Sequence, residues 1–351
     1  MSIDLEKVRK IYNQLQDSIS KEIFLCRFLY SVTEDGKYIQ KIVDKTMKEF
    51  DWVKRVREML LDYQKEGKQL VLDGCGHWGG CLYNLNKDIK WSCVSDKNAN
   101  KGSVFGLPIL ERIKAVEQFK DAIFVITSKA YFEEIESELI QLGVELNNII
   151  NFGEMVADND VQYYDVLKFD AQEVIVDGGC YNCGSIANYI KHANATYKAI
   201  YSFEPEKELY KECLEKISKE KIERCMLYNT GLWSDERELC FSVGETGGSK
   251  ISEQGEQTIK TCALDAVFKD LDEKPTFIKM DIEGAELEAL KGAKDLIKEY
   301  SPKLAICVYH KPEDIWEIPN LILEYNPNYK LYLRHYSPYQ TETVLYAVNK
   351  E

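Results

Sequence analysis

Short apolar runs that alternate with helix-like stretches constrain the fold of this chain more than any other feature. From residue 173 the runs EVIVDGG, AIYSFEP, CMLYNTG, TFIKMD and LAICVYH follow one another, with helical or loop sequence between them. Apolar strands separated by helices are typical of a parallel sheet with helices on both faces. The sequence therefore predicts a doubly wound α/β domain, in which ligands bind at the carboxyl ends of the strands.

A smaller series of the same kind comes before it. The runs QLVLDG, WSCVSD, AIFVITS and NNIINF, with the helical stretch YFEEIESELIQLG, predict a compact α/β unit. Further upstream, EIFLCRFLYSV and YIQKIVDKTMKEFDWVKRVREMLLDY carry apolar residues three and four positions apart, which is typical of helices. We therefore expect a helical cap over residues 1–66, a small Rossmann-like α/β domain over 67–155 and the larger Rossmann-like domain over 156–351.

The C-terminal segment YKLYLRHYSPYQTETVLYAVN is rich in β-branched and aromatic residues and contains a turn signal at Ser337-Pro338. This pattern predicts an antiparallel hairpin on the edge of the larger sheet. Two polar pairs in the hairpin, Arg334-His335 and Glu342-Thr343, either line a substrate pocket or form a surface ion pair.

The charge balance restricts the class of partner. The chain has 45 Lys and Arg against 59 Asp and Glu, a net charge of -14, whereas nucleic-acid binding needs clustered basic residues. A DNA or RNA substrate is therefore not expected. The chain lacks an apolar run of membrane-spanning length and a basic start followed by an apolar region, so we expect a cytoplasmic location. Whether the protein forms a homo-oligomer stays open.

Eleven cysteines are present, mostly in apolar segments and without regular spacing. This distribution is typical of reduced core cysteines and not of a disulfide framework. Only Cys180 and Cys183 form a CxxC pair, and a zinc site would need a second pair at a standard spacing, which the chain does not offer. We therefore expect no metal at this pair.

The first of two glycine-rich turns runs from Gly74 to Gly79. It matches G-x-G-x-x-G after a strand, and Asp96 follows at the end of the next strand, as in dinucleotide-binding folds. The surrounding unit is short for two mononucleotide halves, and nothing near the turn resembles a hydride-transfer site. A structural or regulatory role is the favoured interpretation, and NAD-dependent sugar modification at this turn is an alternative function.

The second glycine-rich turn follows the strand EVIV. Asp177 ends this strand, and Gly178 and Gly179 allow the backbone to pass close under a ligand. An acid at this tip suits the amino-acid part of S-adenosylmethionine better than it suits a pyrophosphate. One strand later, Glu204 is placed to accept hydrogen bonds from both hydroxyls of a ribose. We therefore expect each carboxylate to bind this cofactor, and its loss to weaken cofactor binding with the fold intact.

Residues from about 171 to 348 resemble the FkbM family of S-adenosylmethionine-dependent methyltransferases. The resemblance rests on VDGGCYNCGS, YSFEPE, NTGLWSD, TCALD, FIKMDIEGAELEALKGA and VYHKPED, which occur in the family's order. It implies S-adenosyl-L-methionine as cofactor and, as acceptor, a hydroxyl of a sugar, of a glycan precursor in polysaccharide biosynthesis or of another small metabolite. Cys183 departs from the pattern, since relatives commonly carry glycine there. The expected cofactor-binding residues are Asp177, Gly178, Gly179, Tyr181, Asn182, Gly184, Glu204, Pro205, Thr230 and Gly231.

The expected catalytic residues lie at the tips of the fourth and fifth strands of the larger sheet. Asp281 ends TFIKMD and His310 ends LAICVYH, and these tips adjoin the crevice where the methyl group would be presented. A hydroxyl acceptor must lose its proton, and an imidazole can accept it near neutral pH. His310 is therefore the expected base, and Asp281 orients the acceptor or raises the basicity of His310. Glu283 shares this role or only favours the start of the next helix.

The remaining acids of this region have simpler interpretations. Glu286 and Glu288 are expected on a solvated helix face. A divalent metal at Asp281, Glu283 and His310 is chemically possible, but such sites normally have more oxygen ligands, so no metal is predicted.

Two further interpretations concern the larger domain. The segment YNPNY, residues 325–329, is similar to the N-P-P-Y element of amino-directed methyltransferases, yet it follows the fifth strand as a turn. That element belongs at the fourth strand tip, where this chain has DIEG. A non-catalytic nucleoside-binding module with the same fold remains an alternative to the methyltransferase.

Overall fold

The computed structural model describes residues 4–97, 99, 102–192, 196–242, 250–251, 255 and 257–349. The chain divides into two compact units. The larger unit consists of Met1–Ile42, Val161–Tyr336 and Gln340–Glu351, and the smaller unit consists of Val43–Asp160 and Ser337–Tyr339.

The N-terminal segment is helical, as its periodicity predicts. Its helices are α1 (Leu5–Gln14), α2 (Ser18–Thr33), α3 (Lys37–Lys45) and α4 (Asp51–Lys65). The side chains of Asp4 and Asp17 accept hydrogen bonds from first-turn N–H groups of α1 and α2, which are groups that the helix itself leaves without a partner. No helix among the described residues is long and apolar enough to cross a membrane.

These helices belong to different units. Ser20 of α2 lies in the larger unit, where its Oγ accepts a hydrogen bond of 2.9 Å from the N–H of Leu333. Val56 and Leu60 of α4 pack in the core of the smaller unit. The sequence predicts one helical cap through residue 66, because local periodicity identifies a helix but not the sheet against which it packs.

The smaller unit is built around a mainly parallel sheet. Its elements after α4 are β1 (Leu70–Asp73), α5 (His77–Leu85), β2 (Trp91–Ser95), β3 (Ser103–Val104), β4 (Leu107–Leu110), α6 (Arg112–Gln118), β5 (Ile123–Ile126), α7 (Phe132–Gln141), β6 (Ile149–Asn151) and α8 (Phe152–Asp158). The strand order is β3-β4-β2-β1-β5-β6. Leu70 and Leu72 belong to one apolar core and Val71 to another, because successive side chains of a strand point to opposite faces.

The larger unit contains the strands predicted from residue 173 onward. Its elements are β7 (Val174–Gly178), α9 (Gly184–His192), β8 (Ala199–Phe203), α10 (Lys207–Glu220), β9 (Cys225–Tyr228), β10 (Gly231–Leu232), β11 (Glu238–Ser242), β12 (Lys250–Ile251), β13 (Gln257–Cys262), α11 (Leu264–Val267), β14 (Phe277–Met280), α12 (Glu286–Lys291), α13 (Lys294–Tyr300), β15 (Lys303–Cys307), α14 (Asp314–Tyr325), β16 (Lys330–His335) and β17 (Thr343–Val348).

The main sheet of this unit has the order β16-β17-β15-β14-β7-β8-β9. Strands β15, β14, β7, β8 and β9 are parallel, whereas β17 is antiparallel to both β15 and β16. The predicted α/β fold class and the C-terminal hairpin at the sheet edge are therefore confirmed. Strand β7 lies at the centre of the five parallel strands, and the chain crosses from one side of it to the other, so a crevice is expected at its carboxyl end.

A second, small sheet with the order β10-β13-β11-β12 lies between β9 and β14 in sequence. It was not predicted, because its strands are short and their apolar residues do not form continuous runs. Its residues Gly231 and Leu232 lie near the tip of β7: a Cβ added at Gly178 would meet Leu232 at 2.7 Å.

Candidate active site

A cavity of about 320 Å³ opens at the carboxyl ends of the parallel strands of the main sheet. Residues that follow β7, β8, β14 and β15 line it, together with residues of the small sheet and of the loop before β17. The lining residues are Gly179, Tyr181, Phe203, Glu204, Pro205, Glu206, Leu209, Gly231, Leu232, Phe241, Ile259, Asp281, Ile282, Glu283, Ala285, Tyr309 and Glu342. The cavity is therefore lined both by predicted cofactor residues and by predicted catalytic residues.

The turn after β7 requires glycine at position 179. Gly179 has φ of +74°, and a Cβ at this position would lie 1.9 Å from the carbonyl oxygen of Asp281. A side chain here would displace the backbone of the loop that carries Asp281. The turn after β7 and the turn after β14 are thus in direct contact.

Glu204 is the carboxylate of the cofactor end of the cavity. It is 5% exposed, and its two oxygens accept hydrogen bonds from the N–H of Tyr181 (3.0 Å) and the N–H of Glu206 (2.9 Å). Burial raises the pKa of Glu204 to about 7, against the opposing effect of these two bonds. Each carboxylate oxygen has a second lone pair, so Glu204 retains the capacity to accept from two hydroxyl groups of a ligand.

The position of Asp177 at a strand tip predicts contact with the cofactor, but in the structure its carboxylate contacts other protein groups. Its Oδ1 lies 3.0 Å from Nζ of Lys279, and both side chains are about 95% buried. Its Oδ2 accepts from Ser185 Oγ at 2.6 Å. Lys279 also donates to the carbonyl oxygens of Gly178 (3.1 Å) and Gly179 (2.8 Å). Asp177 is therefore one side of a buried ion pair beneath the glycine turn, and it does not line the cavity.

The other predicted cofactor residues divide into two groups. Tyr181, Pro205 and Gly231 line the cavity with Gly179 and Glu204, whereas Gly178, Asn182, Gly184 and Thr230 are not among the described residues that line it. Asn182 instead accepts from the N–H of Gly184 (3.1 Å) at the start of α9, and Thr230 donates to the carbonyl oxygen of Lys260 (2.9 Å). These contacts hold the loops that carry the lining residues.

The opposite end of the cavity is lined by carboxylates and a tyrosine. Asp281 Oδ2 accepts from the hydroxyl of Tyr163 at 2.7 Å, and Asp281 Oδ1 accepts from the hydroxyl of Tyr309 at 3.2 Å. The Tyr309 hydroxyl also lies 3.4 Å from Glu342 Oε1. Glu283 completes this rim and has a positive φ of 54°. The structure thus places Asp281 and Glu283 together, as predicted.

Some residues of this end were not assigned from the sequence. Tyr309 directly precedes His310 at the tip of β15, so its position was the available signal. Glu342 was considered as part of the terminal hairpin and lines the cavity. The neighbouring Arg334 instead pairs with Asp17 at 2.8 Å, and His335 Nδ1 lies 2.8 Å from Thr343 Oγ1.

His310 lies beside this carboxylate group. Its Nδ1 is 2.9 Å from Glu286 Oε1, and its Nε2 is 3.4 Å from Asp281 Oδ1 and 3.5 Å from Glu283 Oε2. Burial lowers the pKa of the imidazole, but the charge of Glu286, with those of Asp281 and Glu283, outweighs burial and raises the pKa to about 9. In this environment His310 holds its proton at neutral pH. The sequence predicted His310 as a base near neutral pH with Asp281 and Glu283 beside it, but it did not predict the contact with Glu286.

Glu286 is the least expected member of the group. The sequence predicted a solvated helix face, whereas Glu286 is 0% exposed. Its Oε1 accepts from the N–H of Ile282 at 2.8 Å. Nearby, burial and the charge of Glu286 raise the pKa of Asp314 to about 7. For Asp281, burial raises the pKa, but the charges of Lys279 and His310 outweigh it and lower the pKa, so Asp281 is ionised at neutral pH.

The CxxC pair acquires a third thiol in the folded chain. Cys180, Cys183 and Cys213 are buried with their Sγ atoms within 4.8 Å of one another. Cys213 Sγ donates to the carbonyl oxygen of Tyr181 at 2.9 Å. The third thiol comes from α10, and no spacing rule could indicate its position beside the CxxC pair.

The smaller unit has a cavity of its own, of about 620 Å³, at the carboxyl ends of β1, β2 and β5. Gly74, Gly76 and Asp96 line it, and the carboxylate of Asp96 accepts from the N–H of Cys75 at 3.0 Å. Gly79 is required by packing, since a Cβ there would lie 2.1 Å from the carbonyl oxygen of Gly74. The glycine-rich turn therefore has the predicted position after β1 and before α5.

A family model matches part of the larger unit. Residues 177–336 match the family model described as the Methyltransferase FkbM domain. A curated relative, the hexuronic acid methyltransferase AglP of Haloferax volcanii, is 28% identical over 166 residues, which cover 46% of this chain and 67% of that protein.

Among solved structures, a methyltransferase FkbM from Methylobacillus flagellatus is 21% identical over 82% of this chain and 92% of that chain, with a TM-score of 0.47. An rRNA methylase from Streptococcus thermophilus is 15% identical over 52% of this chain and 88% of that chain, with a TM-score of 0.33.

Proposed function

We propose that the FkbM methyltransferase domain of this chain transfers a methyl group from S-adenosylmethionine to a hydroxyl group of a sugar or another small metabolite. The observation that carries this proposal is that one cavity is lined both by Glu204, which follows β8, and by Asp281, which follows β14 on the other side of β7. A cofactor held at Glu204 and an acceptor held at Asp281 would meet inside it.

The cofactor end has the groups that a nucleoside needs. The oxygens of Glu204 can accept from the two ribose hydroxyls, and ionised carboxylates make stronger hydrogen bonds than neutral acceptors do. Leu209 and Ile259 give this end apolar walls suited to the adenine ring. Gly179 lets the backbone of the turn approach the ligand closely.

The acceptor end has the groups that a hydroxyl needs. Methyl transfer forms a bond from the acceptor oxygen to the methyl carbon and breaks the bond from that carbon to sulfur. The sulfonium becomes a neutral thioether, and the hydroxyl proton goes to a carboxylate. Asp281 is ionised and lines the cavity, so we assign it as the proton acceptor. Tyr163 and Tyr309 fix the orientation of its carboxylate.

His310 then has an electrostatic role in place of the predicted basic one. As an imidazolium beside Asp281, it favours the ionised carboxylate that accepts the proton. His310 does not line the cavity among the described residues, so it acts through Asp281 as a positioning residue.

The carboxylates at the acceptor end of the cavity and the name of the curated relative both support this acceptor class. Asp281, Glu283 and Glu342 offer carboxylate oxygens, which accept hydrogen bonds from hydroxyl groups. The name of the Haloferax volcanii relative, a hexuronic acid methyltransferase, supports a sugar acceptor. A glycan precursor of polysaccharide biosynthesis in the cytoplasm is the acceptor that fits this proposal best.

The test is calorimetric titration with S-adenosylmethionine, followed by measurement of S-adenosylhomocysteine formation with a panel of sugars and sugar nucleotides. We expect binding near one cofactor per chain and turnover with at least one hydroxyl acceptor. Cofactor binding without turnover on any acceptor would favour the non-catalytic nucleoside-binding module. Absence of cofactor binding would contradict the proposal.

A parallel titration with NAD addresses the cavity of the smaller unit. A Cβ added at Gly76 meets no atom within 4 Å, so Gly76→Ala is compatible with the fold and narrows only that cavity. NAD binding that is lost in Gly76→Ala, with S-adenosylmethionine binding unchanged, would support the alternative of an NAD-dependent activity there.

A further inference from the structure

We propose that Asp281, Glu286 and His310 form a binding site for one divalent cation beside the acceptor end of the cavity. The three residues come from two neighbouring strand tips and the helix after β14. Each offers one ligand atom, and these atoms lie within 4.8 Å of one another. Cation ligands at about 2.0–2.6 Å from a common centre have this mutual spacing.

Glu286 provides the observation that points to a ligand. Its side chain is 1% exposed, and its Oε2 is buried without a hydrogen-bond partner among the described residues. Because Oε1 is held by the N–H of Ile282, the direction of Oε2 is set by the backbone. An unpaired buried carboxylate oxygen is costly, and a bound cation would remove that cost.

The ring of His310 is also buried without hydrogen-bond partners among the described residues. Its side chain is 8% exposed, and neither ring nitrogen makes a hydrogen bond of normal geometry with a described residue. The contacts at 2.9 Å with Glu286 and 3.4 Å with Asp281 are ion-pair distances only. A ring held between two carboxylates without directed hydrogen bonds is suited to bind a cation through one nitrogen.

The local charge balance also favours a cation. Asp281, Glu283 and Glu286 bring three carboxylates to one imidazole. Two lysines have partners of their own: Lys279 pairs with Asp177, although its charge also acts on Asp281, and Lys311 donates to the carbonyl oxygen of Gly284. Cation binding needs the neutral imidazole, so the cation would replace the proton of His310.

The ligand set indicates which cations fit. Carboxylate oxygens suit Mg²⁺ and Mn²⁺, and imidazole nitrogen suits later transition metals. Mn²⁺ is compatible with both ligand types and takes further oxygen ligands. The site therefore fits Mn²⁺ better than Mg²⁺, which binds through oxygen and keeps several waters.

The cation would serve the reaction given under the proposed function, on which this role depends. Asp281 lines the cavity, so a cation bound to it lies next to the acceptor. With the cation bound, its charge would replace that of the imidazolium beside Asp281, and it would stabilise the negative charge that develops on the acceptor oxygen as the proton leaves for Asp281. The methyl transfer itself is unchanged, with the carbon–oxygen bond formed and the carbon–sulfur bond broken.

In the test, the 351-residue chain is treated with a chelator, freed of it and titrated with Mn²⁺. Binding is measured as the loss of the free Mn²⁺ signal in electron paramagnetic resonance. Mg²⁺ and Zn²⁺ are then added as competitors. We expect about one Mn²⁺ per chain in the wild type and at least tenfold weaker binding in Glu286→Gln and in His310→Gln. Glu288→Gln is the matched control, because Glu288 lies on the same helix but pairs with Lys291; its Mn²⁺ affinity should equal the wild-type value.

Thermal melting and S-adenosylmethionine titration on every variant separate loss of the site from loss of the fold. Glu286→Gln keeps an oxygen that can accept from Ile282, and His310→Gln is the second variant should the first not fold. Mn²⁺ affinity that is unchanged in a folded variant of either residue, or absence of Mn²⁺ and Zn²⁺ binding to the wild type, would overturn the cation site. Cofactor binding without cation binding overturns this inference alone, and cation binding without cofactor binding overturns the proposed function alone.

Discussion

Nζ of Lys279 lies 3.0 Å from Oδ1 of Asp177, and the two side chains are 5% and 4% exposed. Lys279 stands in the interior of β14, and Asp177 stands in β7, directly opposite in the strand register. The same ammonium donates to the carbonyl oxygens of Gly178 and Gly179. The ion pair therefore holds the glycine turn in place. Because the turn lies against the cofactor end of the cavity, a change in the pair should affect both cofactor binding and the stability of the sheet.

Asp177→Asn should mainly destabilise the fold. It leaves the charge of Lys279 buried without its partner, which costs about 3–5 kcal/mol. Urea denaturation should show a large fall in the unfolding midpoint, and cofactor affinity should fall with it. Asp235→Asn is the matched control, since Asp235 forms an exposed pair with Arg237; its midpoint should stay near that of the wild type. An Asp177→Asn protein with a normal midpoint and weak cofactor binding would restore the direct ligand role predicted from the sequence.

The affinity for S-adenosylmethionine should increase as the pH is raised past about 7. The pKa of Glu204 is about 7 because the carboxyl group is buried, so protonation removes the charged acceptor as pH falls through that value. Between about pH 6 and about pH 8 the ionised fraction changes on the order of tenfold, and affinity should follow it. Calorimetry across this range measures the effect.

Two variants identify the group responsible. Glu204→Gln should bind weakly with no dependence on pH in this range. Asp314→Asn is the control, because burial also raises the pKa of Asp314 to about 7, although Asp314 does not line the cavity among the described residues. Loss of the pH dependence in Asp314→Asn would contradict the assignment to Glu204.

Gly179→Ala should weaken cofactor binding and lower stability. The new Cβ would lie 1.9 Å from the carbonyl oxygen of Asp281, and φ of +74° costs a non-glycine residue about 1–2 kcal/mol. Melting temperature and cofactor affinity should both decrease. Gly36→Ala is the control, because a Cβ at Gly36 meets no atom within 4 Å. Equal behaviour of the two variants would show that the turn tolerates a side chain.

Asp281→Asn should separate chemistry from binding. The amide cannot accept the hydroxyl proton, and removal of a general base typically lowers kcat about a hundredfold to ten-thousandfold. Cofactor affinity should stay near the wild-type value, because the cofactor end of the cavity is unchanged. The measurement is kcat together with the cofactor dissociation constant on one preparation, once an acceptor is known. A fully active Asp281→Asn enzyme would refute the catalytic assignment.

The sequence determined the parts of this protein that depend on neighbouring residues. The apolar runs predicted β7, β8, β9, β14 and β15, because strands buried on both faces need continuous apolar residues. Once these strands were ordered, Glu204 was expected one strand after Asp177, and Asp281 was expected beside His310. Of these four residues, Glu204 and Asp281 line the cavity. The glycine at position 179 was expected because the backbone passes close under a ligand, whereas its contact with the turn after β14 came from the structure alone.

Only the tertiary structure decided how charged side chains pair. Asp177 looked like an exposed loop acid, yet the strand register brings it against Lys279. Glu286 looked like a residue of a solvated helix face, yet the packing of α12 turns it towards His310. Periodicity specifies which face of an element is apolar, but the partner of a buried charge depends on register and on elements distant in sequence. For that reason the sequence located the cavity, and the fold decided which of its acids contact a ligand and which stabilise the turns around it.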